Sequence, residues 1–555
     1  MLIRKKVFAV LLSLLLASMC FILCVSTHML YSEVDNYLIS AVVNGIYDTD
    51  NYCLFLNPIL CGFVKIVSFL LPRSDALMLI VRLLLFLEVW VLFYLSLSTG
   101  NKYQRALNFS LILYITQIIG CWCANFTLQA AVFAFGGIVL LLLGRENKRK
   151  RYFFAGTFLI TFGYMMRKEG VLLFVPFVLL EIILDSIVSK NPEKNIRWFG
   201  AIAVILVLLS GVQGITDASD KYANGAAYNK ARAIVDYPSF SWEEVSEQAG
   251  NNGITRSEYE GAKNWRLADT QNITAEKLKT ISEIGITTAK PVTVRGAVDV
   301  LKIMVGMLFS GNKKVTVLTA INVLLFFNIL ICCDDGGKKI EAFFAACGAV
   351  LIIFYFTYKG RAPERVWVPV HLGLMCVLFA CSRNITDIHK IFSKFIYLLC
   401  ICILCINFIG DAVFSGFLTP QLSINSRMNA DESLLLELYE ETDRIYIAGI
   451  DTPFVIDSTF RFQGKLPTEE YIHHIIPEGS WKYGQVYFNN LLERLNVSNP
   501  AEALLNRAHT YYLSNDAVPM LEYLKEHYGE DISVEQIGTS VDSFPVWQFS
   551  RKSKY

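Results

Sequence analysis

The chain has 555 residues, 54% of them hydrophobic and only 18% charged, with the apolar residues gathered into long runs. That excludes a soluble globular protein of this size and points to a polytopic membrane protein. A net charge of +1 gives no basis for nucleic-acid binding, so the placement of charge carries the information rather than its sum.

The first run, Val7 to Leu30, is long enough to span and follows Arg4, Lys5 and Lys6. It reads as an uncleaved first helix with a cytoplasmic N-terminus. The loop after it carries Glu33, Asp35, Asp48 and Asp50 on the extracytoplasmic side. Leu54 to Leu71 is apolar but broken by Asn57, Pro58 and Lys65, and reads as an in-plane helix on that face. Spans then follow at Ala76–Ser98, Ala106–Gly120 and Leu128–Gly144, up to the basic cluster Arg145 to Arg151, a firm cytoplasmic marker. Further spans are expected at Tyr152–Met166, Val171–Val188 and Phe199–Thr216. Asp217 to Lys314 is a polar outer insertion of helical pattern, its last stretch (Gly296 to Phe309) lying in the interface. Val315–Cys333, Ile340–Tyr358, Val366–Cys381 and Ile391–Phe414 complete a set of about eleven spans.

Residues 1–414 therefore read as the membrane domain, with an outer loop at 31–75 and the insertion at 217–314. The tail, 415–555, reads as a small extracytoplasmic α/β domain. Strands are expected at Arg444–Ile450, Thr510–Ser514, Ile532–Ile537 and Phe544–Phe549, with helices at Val486–Leu495, Ala501–Arg507 and Val518–Tyr528. The tail has no glycine-rich phosphate loop. The 14 cysteines sit mostly in or beside hydrophobic runs and form no disulfide framework. Cys121 and Cys123 lack the partners of a zinc site, and no metal site is expected.

Three charged groups fall on the outer face in this topology. They are Glu33/Asp35, the turn Arg167-Lys168-Glu169, and Lys359 to Arg365, which holds Arg361, Glu364 and Arg365. Basic residues favour the cytoplasmic side, so two basic outward turns call for a reason. Arginines grip phosphate bidentately, and a carboxylate can take the proton of an acceptor hydroxyl. Asp35, with Glu33 beside it, is thus the candidate base, and Arg167, Lys168, Arg361 and Arg365 the candidate phosphate clamp. Glu169, Glu364 and Asn57 are further candidates. Against this stand plainer readings: basic side chains at helix ends snorkel to headgroups, and Asp35 can cap the helix that follows it. Asp48 and Asp50 suit a turn, and His371 suits a packed, hydrogen-bonded histidine.

Asp35-Asn36-Tyr37, Gly45 and Asn57, with the in-plane helix, many spans and an outer tail, resemble the GT-C glycosyltransferase superfamily. The likeness is closest to a largely uncharacterised group of bacterial membrane proteins. Asn36 stands where that group has a second acid. This leaves Asp35 as the matching carboxylate and Glu33 as a candidate out of register. The resemblance implies a mainly helical GT-C-like membrane fold in a bacterial plasma membrane. It also implies transfer of a sugar from a polyprenyl-phosphate donor to an envelope glycan or lipid acceptor. It implies no certain cofactor and leaves room for a divalent cation. Two rival readings are a flippase for lipid-linked glycans, with Glu88 and Glu181 as membrane-embedded carboxylates, and a non-catalytic envelope-binding protein.

Overall fold

A computed structural model of the chain describes residues 2–26, 34–45, 50–72, 74–98, 102–121, 125–146, 150–188, 192–235, 241–266, 268–288, 294–309, 312–359, 363–382, 390–414, 444–449, 474–479, 481–539 and 545–551. It is a mainly helical protein. Among the described residues, seven helices are long and apolar enough to cross a membrane. They are α4 (Ala76–Ser98), α6 (Phe126–Glu146), α10 (Pro192–Asp217), α16 (Lys313–Cys332), α17 (Gly336–Tyr358), α18 (Glu364–Ser382) and α19 (Lys390–Phe414).

Other apolar stretches are shorter or interrupted. Helix α1 (Leu2–Ser26) packs on α4 through Ala17 and Cys20 against Val89 and Phe93. Helix α5 (Lys102–Tyr114) continues into π-helical turns over Ile115–Cys121. Helix α7 spans Lys150–Met166 and ends in the short α8 (Lys168–Leu172), and α9 (Val175–Val188) follows. The expected helix from Val171 is thus broken at its start. Pro176 sits in the first turn of α9, where its missing N–H leaves no bond unmade.

Close packing fixes α7 and α8 on α6. A Cβ on Gly156 would lie 2.5 Å from the Gly137 carbonyl, and one on Gly163 would lie 2.8 Å from that of Ala130. Gly170 in α8 is bound the same way, with the Thr127 carbonyl 2.7 Å from the Cβ it lacks. Small residues let helix backbones meet where no hydrophobic driving force separates lipid from protein. Helix α18, buried along almost its whole length, is the central post between α6, α9, α16 and α17.

Helix α2 (Val34–Val43) ends at Gly45, whose φ of +78° a side chain would disfavour. Asn44 and Asp75 then knit its end to α3 (Pro58–Leu70) and α4. Asn44 donates to Asp75 at 2.9 Å and accepts from Ser68 and from the Ala76 N–H. With 13 residues, α3 is about 20 Å long, too short to span. It buries Leu60, Cys61 and Val64 and exposes Ile59, Phe63, Ile66 and Phe69, as a helix lying in an interface does.

Beyond α10 come α11 (Ala223–Val235), α12 (Trp242–Asn251), α13 (Arg256–Lys263), α14 (Ala275–Thr288) and α15 (Val294–Phe309). Capping boxes at Ser241/Glu244 and Thr255/Glu258 start α12 and α13. The tail forms a five-stranded sheet of order β2-β1-β3-β5-β4. Its strands are β1 (Ile445–Ala448), β2 (Ile475–Pro477), β3 (Thr510–Leu513), β4 (Ile532–Thr539) and β5 (Pro545–Arg551). The first three are parallel, and β5 and β4 close the sheet antiparallel. Helices α20 (Val486–Arg494), α21 (Pro500–Asn506) and α22 (Val518–Tyr528) pack around it.

The tail and the insertion share buried polar contacts. Asp269 accepts from Tyr528 at 2.7 Å and from Asn499 at 3.0 Å, and Asn499 also donates to Tyr528. Glu258, almost wholly buried, pairs with Lys277 and faces His527 of α22. Burial alone would push the Asp269 carboxyl up, but hydrogen bonds from Asn272, Tyr528 and Gln271 outweigh it and hold the group below its usual value.

Candidate functional site

A cleft of about 500 Å³ opens where the membrane helices meet the insertion. Its walls come from the 54–57 loop, the ends of α7 and α8, the last two turns of α10, and α11. Each wall is fixed by its own hydrogen bonds. The Asn57 N–H donates to the Met165 carbonyl at 2.8 Å, and its side-chain amide donates to the Leu209 carbonyl at 2.9 Å. Its side-chain oxygen also caps α3 through the Ile59 N–H. One asparagine therefore ties α3, α7 and α10 together.

A second network holds the loop to the end of α10. The Tyr52 hydroxyl donates to Asp217, and Gln213 donates to the Tyr52 hydroxyl at 2.9 Å and to the Leu54 carbonyl at 3.2 Å. Burial, and then the Asp217 carboxylate, push the Tyr52 phenol far up, so it stays a donor at every physiological pH. Asp50 accepts from Lys221 at 2.7 Å and from Tyr222 at 3.0 Å, and the Tyr52 and Tyr222 rings meet at 4.4 Å. Asp50 is a structural anchor, in keeping with its reading as a turn residue.

The turn Arg167-Lys168-Glu169 divides its labour. The Arg167 guanidinium lies 4.3 Å over the Phe55 ring and pairs with Glu169 at 3.3 Å. Lys168 lies at the cleft, and Lys230 of α11 lines it too. Both lysines are exposed, and neither has an ion-pair partner among the described residues. Two free ammonium groups thus share a cleft with the carboxylates of Glu169 and Asp217 and the amides of Asn57 and Asn229. One edge of the cleft meets apolar surface: Leu208, Val212 and Ile215 of α10 are exposed beside the lining residues Leu209, Ser210 and Gly214. The tail comes close at the loop. Trp481 meets Phe55 edge-on at 4.9 Å, and Gly484, at φ +75°, packs so close to α11 that a Cβ on it would lie 3.1 Å from the Gly225 backbone.

The remaining sequence candidates lie away from the cleft lining or outside the described residues. Glu364 caps a pair of helices, accepting from Lys314 at 2.7 Å and Asn312 at 3.0 Å. Arg365 is half-buried at the start of α18, outside the cleft lining. Asp35 falls in the first turn of α2, its side chain outside the described residues, and among the described residues none of α2 lines the cleft. Glu33, Asp48, Arg361, Trp122 and Cys123 lie outside the described residues. His371 is a packed histidine, its ring nitrogens 3.0 Å from Thr319 and 3.3 Å from Asn322.

Sequence reasoning reached Asn57, Lys168 and Glu169. It missed Lys230, Asp217, Gln213, Tyr52, Phe55 and Trp481 as partners, because no local pattern links residues so far apart in the chain. Among the described residues no three His, Cys, Asp or Glu side chains converge as a metal site. The chain is a polytopic helical membrane protein. No family model, curated protein or solved structure matches it.

Proposed function

We propose that the chain is a membrane glycosyltransferase of GT-C type that takes a sugar from a polyprenyl-phosphate donor at the extracytoplasmic face. The acceptor is an envelope glycan or lipid. In this reading the protein makes about eleven crossings of a bacterial plasma membrane, with residues 415–555 outside. The observation that carries it is the cleft itself. Two lysines without ion-pair partners among the described residues, Lys168 and Lys230, stand beside carboxylates at the edge of the apolar face of α10. A donor with a lipid tail and a phosphate needs that combination: hydrocarbon contact on one side and cations on the other.

In the reaction, an acceptor hydroxyl gives its proton to a carboxylate as its oxygen attacks the anomeric carbon. The bond from that carbon to the phosphate oxygen breaks, and the lipid phosphate leaves with the bonding pair. Lys168 and Lys230 offset the charge that grows on the leaving phosphate, with Arg167 held nearby on Phe55. Three carboxylates compete for the role of base: Asp35 from the sequence reading, and Glu169 and Asp217 from the cleft.

The test is transfer from radiolabelled polyprenyl-phosphate sugars to envelope extracts by the purified full chain. Asp35→Asn, Glu169→Gln and Asp217→Asn are compared with wild type. Loss of transfer in one variant, with folding intact, names the base. Undiminished transfer in Lys168→Ala and Lys230→Ala together would remove the cleft from the mechanism. Flipping of lipid-linked glycans is the second reading, and Glu88 of α4 favours it. That carboxyl is buried against Gly136 with both oxygens lacking hydrogen-bond partners. Glycan movement across proteoliposomes that fails in Glu88→Gln, without any transfer, would replace the first reading with this one.

A further inference from the structure

A second cavity lies in the membrane bundle. It has a volume of about 360 Å³ and lies between α4, α5, α6, α18 and α19. Its walls are mostly apolar, with Leu92, Leu107, Leu111 and Phe135 among them, and Gln104 and Asn108 add polar groups. One wall carries Tyr397, which is 3% exposed and whose hydroxyl has no hydrogen-bond partner among the described residues. An unpartnered buried hydroxyl costs stability unless something arrives to accept from it.

Two lysines stand near the cavity without lining it: Lys394 is one helical turn before the lining residue Tyr397 on α19, and Lys102 is two residues before the lining residue Gln104 on α5. The two lysines lie over the Tyr103 ring at 5.7 Å and 5.1 Å from its centre, so both ammonium groups stand beside the same residue. Neither has an ion-pair partner among the described residues. Two like charges held together without a counter-ion are unfavourable in an empty site and favourable around an anion.

We propose that this cavity is a binding site for an anionic phospholipid of the surrounding leaflet. One acyl chain fills the apolar cavity, and the headgroup phosphate sits between Lys102 and Lys394. The Tyr397 hydroxyl donates to an ester carbonyl of the lipid. Basic pockets between membrane helices favour anionic headgroups, and the volume lies within the range of small-molecule sites, about 300–1,000 Å³. The occupant is a bilayer lipid because helices that cross the membrane form the cavity, and the surrounding bilayer supplies chain and phosphate together. The site stands apart from the cleft of the proposed transferase, and this inference does not depend on that reading.

The test uses the full chain, purified in neutral detergent and stripped of lipid. It is incubated with dioctanoyl phosphatidylglycerol or dioctanoyl phosphatidylcholine, and retention is read by native mass spectrometry. Wild type retains one phosphatidylglycerol with at least about a tenfold preference. The double variant Lys102→Ala/Lys394→Ala loses that preference, its phosphatidylglycerol affinity falling by roughly tenfold or more. Tyr397→Phe, which changes no volume in the cavity, weakens both lipids severalfold. Equal retention of the two lipids by wild type overturns the proposal. So does undiminished retention of phosphatidylglycerol by the lysine double variant. Preferential retention of undecaprenyl phosphate over phosphatidylglycerol at equal concentration overturns the choice of a phospholipid.

Discussion

Gln213 shows how much one side chain can hold at this site. Its amide joins the Tyr52 hydroxyl, the Leu54 carbonyl and Asp217. Gln213→Leu takes that donor from the Tyr52 hydroxyl and the Leu54 carbonyl and leaves Asp217 with Tyr52 as its donor. It should lower stability by about 1–3 kcal/mol and open the 50–57 loop to proteolysis, both readable on purified protein. Lys168 and Lys230 make the opposite case, because the structure gives them no ion pair to lose. Lys168→Ala should leave the melting temperature unchanged. In the transfer assay it should cost roughly ten- to a hundredfold, the worth of one hydrogen bond to a charged group. At this scale the sequence was partly legible. A lysine and a glutamate squeezed between two apolar runs stand out, and Asn57 before a proline marks a helix start. Tyr52 and Asp217 did not stand out, since each looks like an ordinary polar residue beside a span.

The helices meet where glycines permit it. Gly156 and Gly137 bring α7 and α6 into backbone contact, and Gly170 seats α8 against Thr127. Gly156→Val would drive a side chain into the Gly137 carbonyl. It should cost about 1–3 kcal/mol by overpacking, seen as a lower melting temperature in detergent. Gly200 and Gly211 of α10 face open space, and the same change there should be nearly silent. Hydropathy found the apolar runs but not their breaks. The π-helical turns at Ile115–Cys121 and the step between α8 and α9 leave composition unchanged, so a sliding average passes over them. In the tail, strands expected from alternation and β-branched content run at Ile445–Ala448, Thr510–Leu513, Ile532–Thr539 and Pro545–Arg551. The three-residue β2 is too short to carry a period, and no sequence pattern marked it.

Across the whole molecule, the insertion and the sheet share a buried seam. Asp269 sits at its centre, with a carboxyl held below the usual value. A depressed acid contributes stability that is fully present above its unfolded value, near 3.9, and is lost as pH falls through the folded value. The seam should therefore hold at neutral pH and loosen below roughly pH 4. Limited proteolysis between α14 and α15 across a pH series reads that loosening. Asp269→Asn should loosen the seam already at neutral pH and flatten its pH dependence, because the carboxylate acceptor becomes a weaker neutral one that does not titrate. The partners of Asp269 lie 230 and 259 positions away. Nothing in the local sequence announces such a pairing, and this is why the insertion and the tail read as separate pieces.

That separation has a consequence for how the protein is made. Asn499 leaves the ribosome about 230 residues after Asp269, which at 5–20 residues per second is on the order of ten to fifty seconds later. Helices α16 to α19 must be threaded into the bilayer within that interval. Until then Glu258 and Asp269 have no α22 to cover them, and the insertion stands half-finished on the membrane surface. Newly made chains are therefore exposed to quality-control proteases during this wait. A ribosome stalled after Phe414 should leave a product in which the apolar helices are inserted while α11 to α14 are still cleaved readily.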